Sequence, residues 1–366
     1  MSDNTFGKAF KFTVFGESHG TLVGVVLDGC PAGLDLNEEV IQKELEKRRP
    51  GLQETSSSRR ESDEVEITSG IFEGRATGAP ICMTIKNRDI ESTSYEAIKS
   101  RPRPGHADYP AHVKFGGYND YRGGGIFSGR ITAPIVAVGA VAKSILSLWG
   151  IEVLAHAVEI GGVGLPKPPT VEEIRRTVYL NDVRCANASI ATRMSDAILE
   201  AKKIGDSLGG VVECIALNLP AGIGSPIFGS LDGDIAKFLF SIPAVKGVEF
   251  GLGFHASRSK GSENNDQYYM EAGNVRTRTN NSGGILGGLS NGMPIVVRAA
   301  FKPTPSIALP QRTIDLTEMK EVPIAMTGRH DPCIVPRAVP VVEAAVSACL
   351  VDHLITCGVI PEVLRR

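Results

Sequence analysis

The sequence predicts an α+β fold: a β-α-β sandwich in which a helical layer lies between antiparallel sheets, built from two halves related by a pseudo-twofold axis. Two observations predict this architecture. Short motifs recur in the same order in the two halves, and each half contains one long apolar segment rich in small residues, at 134–149 and 340–356. Helices that are apolar on every side are buried, so we expect sheets to cover both of them.

The internal repeat consists of four pairs of motifs. The turn Gly16-Glu17-Ser18-His19-Gly20 is followed by Pro31-Ala32-Gly33, and its counterpart Gly205-Asp206-Ser207-Leu208-Gly209 is followed by Pro220-Ala221-Gly222. The other pairs are 70–81 with 284–295, 105–108 with 328–331, and 130–136 with 337–342. Because chance rarely produces four matches in one order, we predict a single domain over residues 1–366. Its halves would span about 1–165 and 190–366, joined by the Gly/Pro-rich segment 161–169.

Local signals place the elements within each half. Asn37 is predicted to cap a helix that runs to Arg49, and Thr170 with Glu173 forms a capping box. Pro134 and Pro340 are predicted in the first turn of the two apolar helices, where a missing N–H costs nothing. An amphipathic helix is predicted at 195–203. Alternating apolar residues predict strands at 24–28, 81–85, 211–217 and 295–299.

Composition excludes several classes of protein. A net charge of −2 argues against binding to nucleic acid. The seven cysteines form no Cys-x-x-Cys pair, which is typical of free thiols in a reducing compartment rather than of disulfides or a metal site. The N-terminus lacks a hydrophobic signal region, and segment 134–149 is too short and too polar to span a bilayer. We therefore expect a cytoplasmic protein that binds no metal and no membrane.

The turn at 16–20 is the first candidate for chemistry. It offers the Ser18 hydroxyl, and His19 can hold a proton near neutral pH. The equivalent position in the second half is Leu208, so the fold itself does not require a histidine there. A Ser-His hydrolase is the weaker interpretation, because neighbours on a strand point in different directions and the Gly-x-Ser-x-Gly pattern is absent. An exposed turn histidine is the alternative without function.

Basic residues stand beside nearly every glycine-rich turn. Each cluster taken singly is typical of a solvated turn or a hinge, but their number in a chain of net charge −2 favours a ligand with several negative charges. The loop 121–130 opens the first apolar helix, and backbone amides at a helix N-terminus bind anions. The clusters are 47–49, 59–60, 101–108, 121–130, 302–306 and 329–332.

Several of these blocks resemble the signature blocks of the chorismate synthases, and the resemblance runs along nearly the whole chain. The main blocks are Gly16–Pro31, Arg103-Pro104-Gly105-His106-Ala107-Asp108, and Arg329-His330-Asp331-Pro332-Cys333 with Arg337-Ala338-Val339-Pro340. Further matches lie at 48–51, 244–249 and 283–288.

This resemblance implies a lyase that converts 5-enolpyruvylshikimate 3-phosphate into chorismate and phosphate by 1,4-anti elimination, the last step of the shikimate pathway. Reduced FMN is required although there is no net redox change. The C–H bond to be broken is not acidic, and a reduced flavin can supply electron density that helps phosphate leave, then take it back. Substrate and cofactor both carry phosphate, and the substrate two carboxylates, which suits the basic turns.

Site residues follow from the same resemblance. It implies that His19 protonates the departing phosphate, that His106 stabilises the anionic reduced flavin near N1, and that Asp331 relays the proton through flavin N5. Ser18 and Ser128 would have hydrogen-bonding roles. Arg48 also matches a position that contacts nicotinamide (NADP) or an anion. The implied cofactor contacts are Arg48, Ile126, Phe127, Ser128, Pro243, Ala244, Gly287, Lys302, Pro303, Thr304, Pro305, Ser306 and Arg329. The implied substrate contacts are Arg49, Arg130 and Arg337.

The chain departs from the family pattern beside the flavin. Asn119 and Ile126 stand where arginines are usual, Glu54 replaces a basic residue and Pro243 a small or polar one. The reaction is nonetheless expected, because the residues with implied chemical roles are present. Because the sequence has no Rossmann unit and no large insertion, we expect the chain to be monofunctional and to depend on an external flavin reductase. The resemblance also implies a homotetramer, since the family forms homotetramers. Two alternatives are a divergent flavin-binding oxidoreductase or sensor and a non-catalytic phosphometabolite-binding protein.

Overall fold

The computed structural model of the chain describes residues 3–49, 55–56, 61–89, 93–326 and 330–365. Two five-stranded antiparallel sheets cover a layer of helices, as predicted. The strands are β1 (Thr5–Phe6), β2 (Lys11–Gly16), β3 (Leu22–Asp28), β4 (Val65–Ser69), β5 (Ile71–Phe72), β6 (Arg75–Ala76), β7 (Ile81–Lys86), β8 (Glu152–Ile160), β9 (Val163–Gly164), β10 (Gly210–Leu217), β11 (Val245–Phe250), β12 (Tyr268–Glu271), β13 (Asn274–Thr277), β14 (Ile285–Leu286), β15 (Leu289–Ser290), β16 (Ile295–Phe301), β17 (Gln311–Asp315) and β18 (Lys320–Ile324).

Eight α-helices accompany these strands in the described part of the chain. They are α1 (Glu38–Arg48), α2 (Asp108–Phe115), α3 (Thr132–Leu148), α4 (Val171–Thr177), α5 (Ala188–Ile204), α6 (Leu231–Ser241), α7 (Gly261–Asn264) and α8 (Val335–Thr356). Helix α3 packs on β3 and β7 of one sheet, and α8 packs on β8 and β10 of the other. Helices α1 and α6 complete the central layer.

The four longer strands of each sheet follow one order. The first sheet runs β1-β2-β3-β7-β4, and the second, from its opposite edge, runs β9-β8-β10-β16-β11. Without the two-residue strands β1 and β9, the third strand in chain order (β4 or β11) is an edge strand in both sheets, and the fourth (β7 or β16) lies inside. The predicted strands at 24–28, 81–85, 211–217 and 295–299 fall within β3, β7, β10 and β16. This shared order supports the hypothesis of an internal repeat.

Strand β8 belongs to the second sheet. Residues 152–160 were assigned to the first half, but their backbone pairs with β10 over its full length, from Gly210↔Ile160 to Leu217↔Glu152. The Gly/Pro-rich segment that followed was predicted to join the halves. Instead it turns back so that β9 pairs with the end of β8. The second sheet therefore begins with β8, and the bounds of the two halves stay a prediction.

Helices α3 and α8 pack closely enough to require a glycine. A Cβ added at Gly139 would overlap the backbone and Cβ of Ala344 on the facing helix. Helix α8 begins at Val335 rather than at Pro340, so Pro340 lies inside the helix and Pro336 occupies the first turn. A proline inside a helix leaves one carbonyl of the preceding turn without its donor.

The predicted helix caps are present. The Asn37 side chain accepts a hydrogen bond from Val40 N, and α1 ends at Arg48 with Arg49 as its C-terminal cap. Thr170 and Glu173 form the predicted capping box of α4. The amphipathic helix is longer than predicted, since α5 spans Ala188–Ile204 and is capped by Asn187.

Two helical segments, Gly129–Leu148 and Val335–Thr356, are long and apolar enough to cross a membrane by length and composition. Both lie in the protein core, where most of their residues are buried between the sheets. All seven cysteines are free thiols. Within the described residues no cluster of His, Cys, Asp and Glu is able to hold a metal ion.

Candidate active site

The turn at 16–20 joins β2 to β3 and packs against the loop that leads into α3. Ser18 N donates to Gly125 O at 3.3 Å, and the Ser128 hydroxyl donates to Ser18 Oγ at 3.1 Å. Ser18 is fully buried and His19 is 7 % exposed. The structure therefore brings together three residues predicted to act in chemistry, Ser18, His19 and Ser128.

Three consecutive glycines form the wall of this site. Gly123, Gly124 and Gly125 all have positive φ, at 59°, 86° and 55°, a conformation that glycine adopts without steric cost. A Cβ at Gly123 would lie 2.5 Å from His19 Nε2, and one at Gly124 would lie 3.0 Å from His106 Nε2. The two histidines predicted to be catalytic thus flank the same stretch of backbone.

His106 belongs to a buried ion-pair network at the start of α2. Its Nδ1 lies 2.6 Å from Asp108 Oδ1, and Arg103 donates to both oxygens of Asp108, at 2.7 and 2.8 Å. Burial and the neighbouring Arg103 lower the pKa of His106 despite Asp108. Burial opposes ionisation of Asp108, but hydrogen bonds from Arg103 and His106 lower its pKa overall. Since Nδ1 donates to Asp108, the neutral imidazole presents Nε2 as an acceptor toward Gly124.

The Lys302–Ser306 loop follows β16 and lies against the same network. Ser306 Oγ accepts a hydrogen bond of 3.0 Å from Arg103 Nη1. A Cβ at Gly105 would lie 3.5 Å from Pro305 and 4.0 Å from Lys302 Nζ. Burial and the nearby Lys246 lower the pKa of Lys302.

Residues 243 and 244 are adjacent to this loop, because Lys302 N donates to Ala244 O at 3.0 Å. Ala244 has φ of +74°. The residues predicted to contact the cofactor at 243–244 and 302–306 thus form one continuous surface beside His106.

Other predicted contacts lie elsewhere. Gly287 is in the turn between β14 and β15, and its neighbour Gly288 packs against Ser230 at the start of α6. This hairpin precedes β16, whose seven residues span roughly 20 Å, so within one chain Gly287 lies at the opposite end of that strand from Lys302. Ile126 and Phe127 immediately follow the three glycines. Arg329 and Glu54 lie outside the described residues, as do Arg59 and Arg60.

Asn119, where the family pattern carries arginine, lines a separate cleft of about 410 Å³ with Asp108, His112, Tyr121 and Thr317. His19, His106 and Lys302 do not line this cleft.

A buried cluster of arginines stands behind Ser128. Arg48 and Arg130, exposed by 2 % and 4 %, both pair with Asp63, which is fully buried. Arg48 also donates to Thr132 Oγ1 and Gly129 O, each at 2.9 Å. Arg130 also donates to Asn87 Oδ1 at 2.7 Å and to Lys86 O at 3.1 Å. Every guanidinium nitrogen of both residues thus has a protein acceptor.

Arg337 extends this cluster toward the second half of the molecule. Its Nη1 lies 2.5 Å from Asp331 Oδ2, and its Nε donates to Arg48 O at 3.2 Å. Asp331 and Arg337, predicted from different motifs, therefore form one ion pair beside the Arg48 backbone. Arg49, the remaining predicted substrate contact, is half-buried at the C-terminal cap of α1.

Sequence reasoning missed Tyr95 and His330. The Tyr95 ring meets His19 edge-on at 5.1 Å between centroids and His330 at 6.5 Å, and the Arg103 guanidinium lies 5.8 Å from its centre. Burial and Arg103 lower the pKa of His330 to about 4. His330 adjoins Asp331 in a repeated motif, which was a usable signal, whereas nothing in the local sequence singles out Tyr95.

In the equivalent turn of the second half, 205–209, Leu208 occupies the position of His19. Leu208 N donates to Pro332 O at 2.8 Å, and the residue forms a β-bridge with Cys333. Its side chain packs against Gly161, where a Cβ would lie 2.8 Å from Leu208 Cδ1. An apolar contact takes the place of the histidine side chain, so the second copy of the turn offers no imidazole.

Known proteins are similar to this chain along nearly its whole length. The model of the chorismate synthase family matches residues 10–355. A chorismate synthase from Dehalococcoides mccartyi is 52 % identical over 363 residues, which cover 99 % of this chain and 100 % of the relative. One from Methanocella arvoryzae is 54 % identical over 99 % of this chain and 97 % of its own.

The chain belongs to the chorismate synthase family. A solved structure described as a chorismate synthase crystal structure has a TM-score of 0.78 and 34 % identity, and covers 96 % of this chain and 93 % of its own. The α+β fold is therefore that of the family. The matches run the full length of the relatives, which agrees with a lyase of one activity. These relatives lend no support to an oxidoreductase or a non-catalytic binding protein.

Proposed function

We propose that this member of the chorismate synthase family eliminates phosphate from 5-enolpyruvylshikimate 3-phosphate in the 1,4-anti sense, giving chorismate, with reduced FMN as cofactor and no net redox change. One observation carries the proposal. His19 and His106 flank a single stretch of glycine backbone, where Gly123 and Gly124 leave room for both imidazoles. The elimination breaks one C–O and one C–H bond, so a site with separate proton-handling groups fits the reaction.

The charges around the site fit an anionic ligand. Arg48, Arg130 and Arg337 with Asp63 and Asp331 leave one net positive charge beside Ser128. Lys302 adds a cation on the His106 side. A phosphate and two carboxylates on the substrate are attracted by these groups, and burial strengthens the attraction.

The loop beside His106 fits a flavin phosphate. Among the described residues, the buried Thr304 Oγ1 and His330 Nε2 have no hydrogen-bond partner, and His330 lies near Arg103. An orphaned buried donor is satisfied when a ligand oxygen accepts from it. We expect Ala244 and residues 302–306 to hold the cofactor. When bound, reduced FMN supplies the electron density that helps the phosphate leave.

The side chains then handle protons at defined atoms. His19, beside Ser18 and the three-glycine wall, donates a proton to the departing phosphate. Ser128 donates to Ser18 Oγ at 3.1 Å, which leaves the Ser18 hydroxyl to donate a hydrogen bond that orients that phosphate. With the anionic cofactor bound, His106 would take up a proton at Nε2, while its Nδ1 stays against Asp108. Asp331, ion-paired with Arg337, would relay the proton lost from carbon by way of the bound cofactor.

Further expectations concern the setting of the reaction. We expect the protein to act in the cytoplasm as a homotetramer, to receive reduced FMN from an external reductase, and to lack efficient NADPH-driven flavin reduction of its own. Purified protein should therefore show negligible NADPH oxidation with FMN in air. Size-exclusion chromatography with light scattering measures the oligomeric state.

The decisive experiment is anaerobic. Purified protein receives 5-enolpyruvylshikimate 3-phosphate and dithionite-reduced FMN, and phosphate and chorismate are measured together. We expect equal amounts of both products, and none with oxidised FMN. The His19→Ala variant should lose most of this activity.

A folded wild-type protein that releases no phosphate would overturn the proposal. Steady NADPH consumption without phosphate release would instead indicate a flavin oxidoreductase.

A further inference from the structure

We propose that Asp63 is a positioning residue for the elimination: its carboxylate aligns Arg48 and Arg130, and through them it fixes both the turn that carries His19 and the turn that carries Ser128. The inference rests on the proposed function for its kinetic consequences.

Asp63 is held between the two arginines. Its Oδ2 accepts from Arg48 Nη1 at 2.7 Å, and its Oδ1 accepts from Arg130 Nη1. All three residues are at least 96 % buried. Two buried guanidiniums repel each other, and a shared carboxylate is what allows them to lie side by side.

The first path runs from Arg130 to His19. Arg130 Nε donates to Asn87 Oδ1 at 2.7 Å. Asn87 Nδ2 donates in turn to Glu17 O at 2.9 Å and to Gly20 O at 2.8 Å. These carbonyls bracket Ser18 and His19, so one buried amide ties down both ends of the turn. Because Arg130 occupies Oδ1, the orientation of the Asn87 amide is fixed.

The second path runs from Arg48 to Ser128. Arg48 Nη2 donates to Gly129 O and its Nε donates to Thr132 Oγ1, both at 2.9 Å. The Thr132 hydroxyl donates to the same Gly129 carbonyl at 2.6 Å. This carbonyl follows Ser128 directly, so its anchoring sets where the Ser128 hydroxyl meets Ser18.

The backbone at Asp63 supports a dedicated role. Asp63 has φ of +48°, in the left-handed region that L-residues other than glycine, asparagine and aspartate rarely adopt. Such conformations persist where surrounding contacts determine them and tend to lie at functional sites. Here two buried guanidiniums provide those contacts.

A double-mutant cycle tests the first path. Asp63→Asn removes the charge with little change in shape, and Asn87→Ala removes the two hydrogen bonds to the turn. We expect each to lower kcat about tenfold to a hundredfold, since small misplacement of a reacting group costs that much. The double variant should be no slower than the slower single variant, because both act on the same turn. Multiplicative losses would overturn the inference.

The matched control is Asp35→Asn. Asp35 forms an exposed ion pair with Arg75 at 3.0 Å, and its substitution should leave kcat and KM unchanged. If Asp63→Asn does not fold, Asn87→Ala alone tests the path, because it leaves every buried charge paired. It should lower kcat more than it raises KM.

A second measurement does not depend on catalysis. The His19 Cε1–H signal in a ¹H–¹³C spectrum, assigned with His19→Gln, reports the surroundings of that imidazole. We expect this signal to shift in Asn87→Ala and in Asp63→Asn, and to stay in place in Asp35→Asn. An unmoved signal in the folded Asp63 and Asn87 variants overturns the inference whether or not the wild type is active. Absence of wild-type activity with a shifted signal would count against the proposed function alone.

Discussion

Gly123 lies directly against His19, so closely that a Cβ on Gly123 would stand 2.5 Å from Nε2 of the imidazole and 2.7 Å from Ser18 Oγ. The position also has φ of +59°. Gly123→Ala should therefore displace His19 and lower kcat by about a hundredfold or more. Steady-state phosphate release under anaerobic conditions measures the loss.

The Gly162→Ala variant is the control, because it introduces alanine at a positive φ without a contact between the added Cβ and another residue. Gly162 has φ of +80° but no atom within 4 Å of an added Cβ. Both variants should lose on the order of 1 kcal/mol of stability, and only Gly123→Ala should lose activity. Equal activities in the two variants would argue against contact between the glycine wall and His19.

His106 should take up a proton when an anion binds. In the free protein, burial and Arg103 lower the pKa of His106, so the imidazole is neutral at pH 7. An anionic ligand near Nε2 favours the charged form and raises that pKa. Anaerobic calorimetry of reduced FMN binding in two buffers of different ionisation enthalpy measures the protons taken up.

In His106→Gln this uptake should be smaller, with His255→Gln, an exposed histidine, as the control. Identical proton uptake in wild type and His106→Gln would show that His106 does not meet the ligand charge.

His330 should weaken the fold in mild acid. Burial and Arg103 lower its pKa to about 4, while an unfolded histidine has a pKa near 6.5. Between about pH 6.5 and pH 4 the unfolded state therefore binds more protons, and stability falls as pH falls. A shift of this size corresponds to about 3 kcal/mol once pH is below both values.

Replacing His330 with Gln should flatten this part of the curve. Chemical unfolding at pH 7, 5.5 and 4 measures the effect, and His255→Gln should follow the wild type. A wild-type slope in His330→Gln would mean that other groups cause the loss.

Lys302 should contribute more to cofactor affinity than to the chemical step. Its ammonium is partly buried beside Gly105 and Pro305, on the loop that includes Thr304. Lys302→Met keeps the length of the side chain and removes its charge. We expect FMN to bind about tenfold more weakly, a loss typical of one charge-assisted hydrogen bond, with kcat at saturating flavin changed far less.

Flavin fluorescence titration gives the affinity, and Lys320→Met is the control, since Lys320 is exposed and paired with Glu318. Unchanged affinity in Lys302→Met, or an equal loss in both variants, would remove Lys302 from the cofactor site.

Several features followed from the sequence. The Asn37 cap, the Thr170 capping box and the alternating strands rest on contacts within a few residues, so local patterns predict them. The apolar helices were predicted to be buried because no face of either could meet water. Their boundaries were less accurate, since Pro340 proved compatible with a helix interior once α8 was enclosed by the sheets.

The unique histidine of the 16–20 turn was also evident from the sequence alone, because comparison of the two halves isolates His19 opposite Leu208. What only the tertiary structure decided is how the charges are shared. Arg48 and Arg130 looked like free ligand contacts, but Asp63 lies 15 and 67 residues from them in the chain, and no local periodicity reports such a pairing. Because both guanidiniums are buried, they require a carboxylate between them. The hydrogen bonds of Asn87 then connect Arg130 to the turn that carries His19.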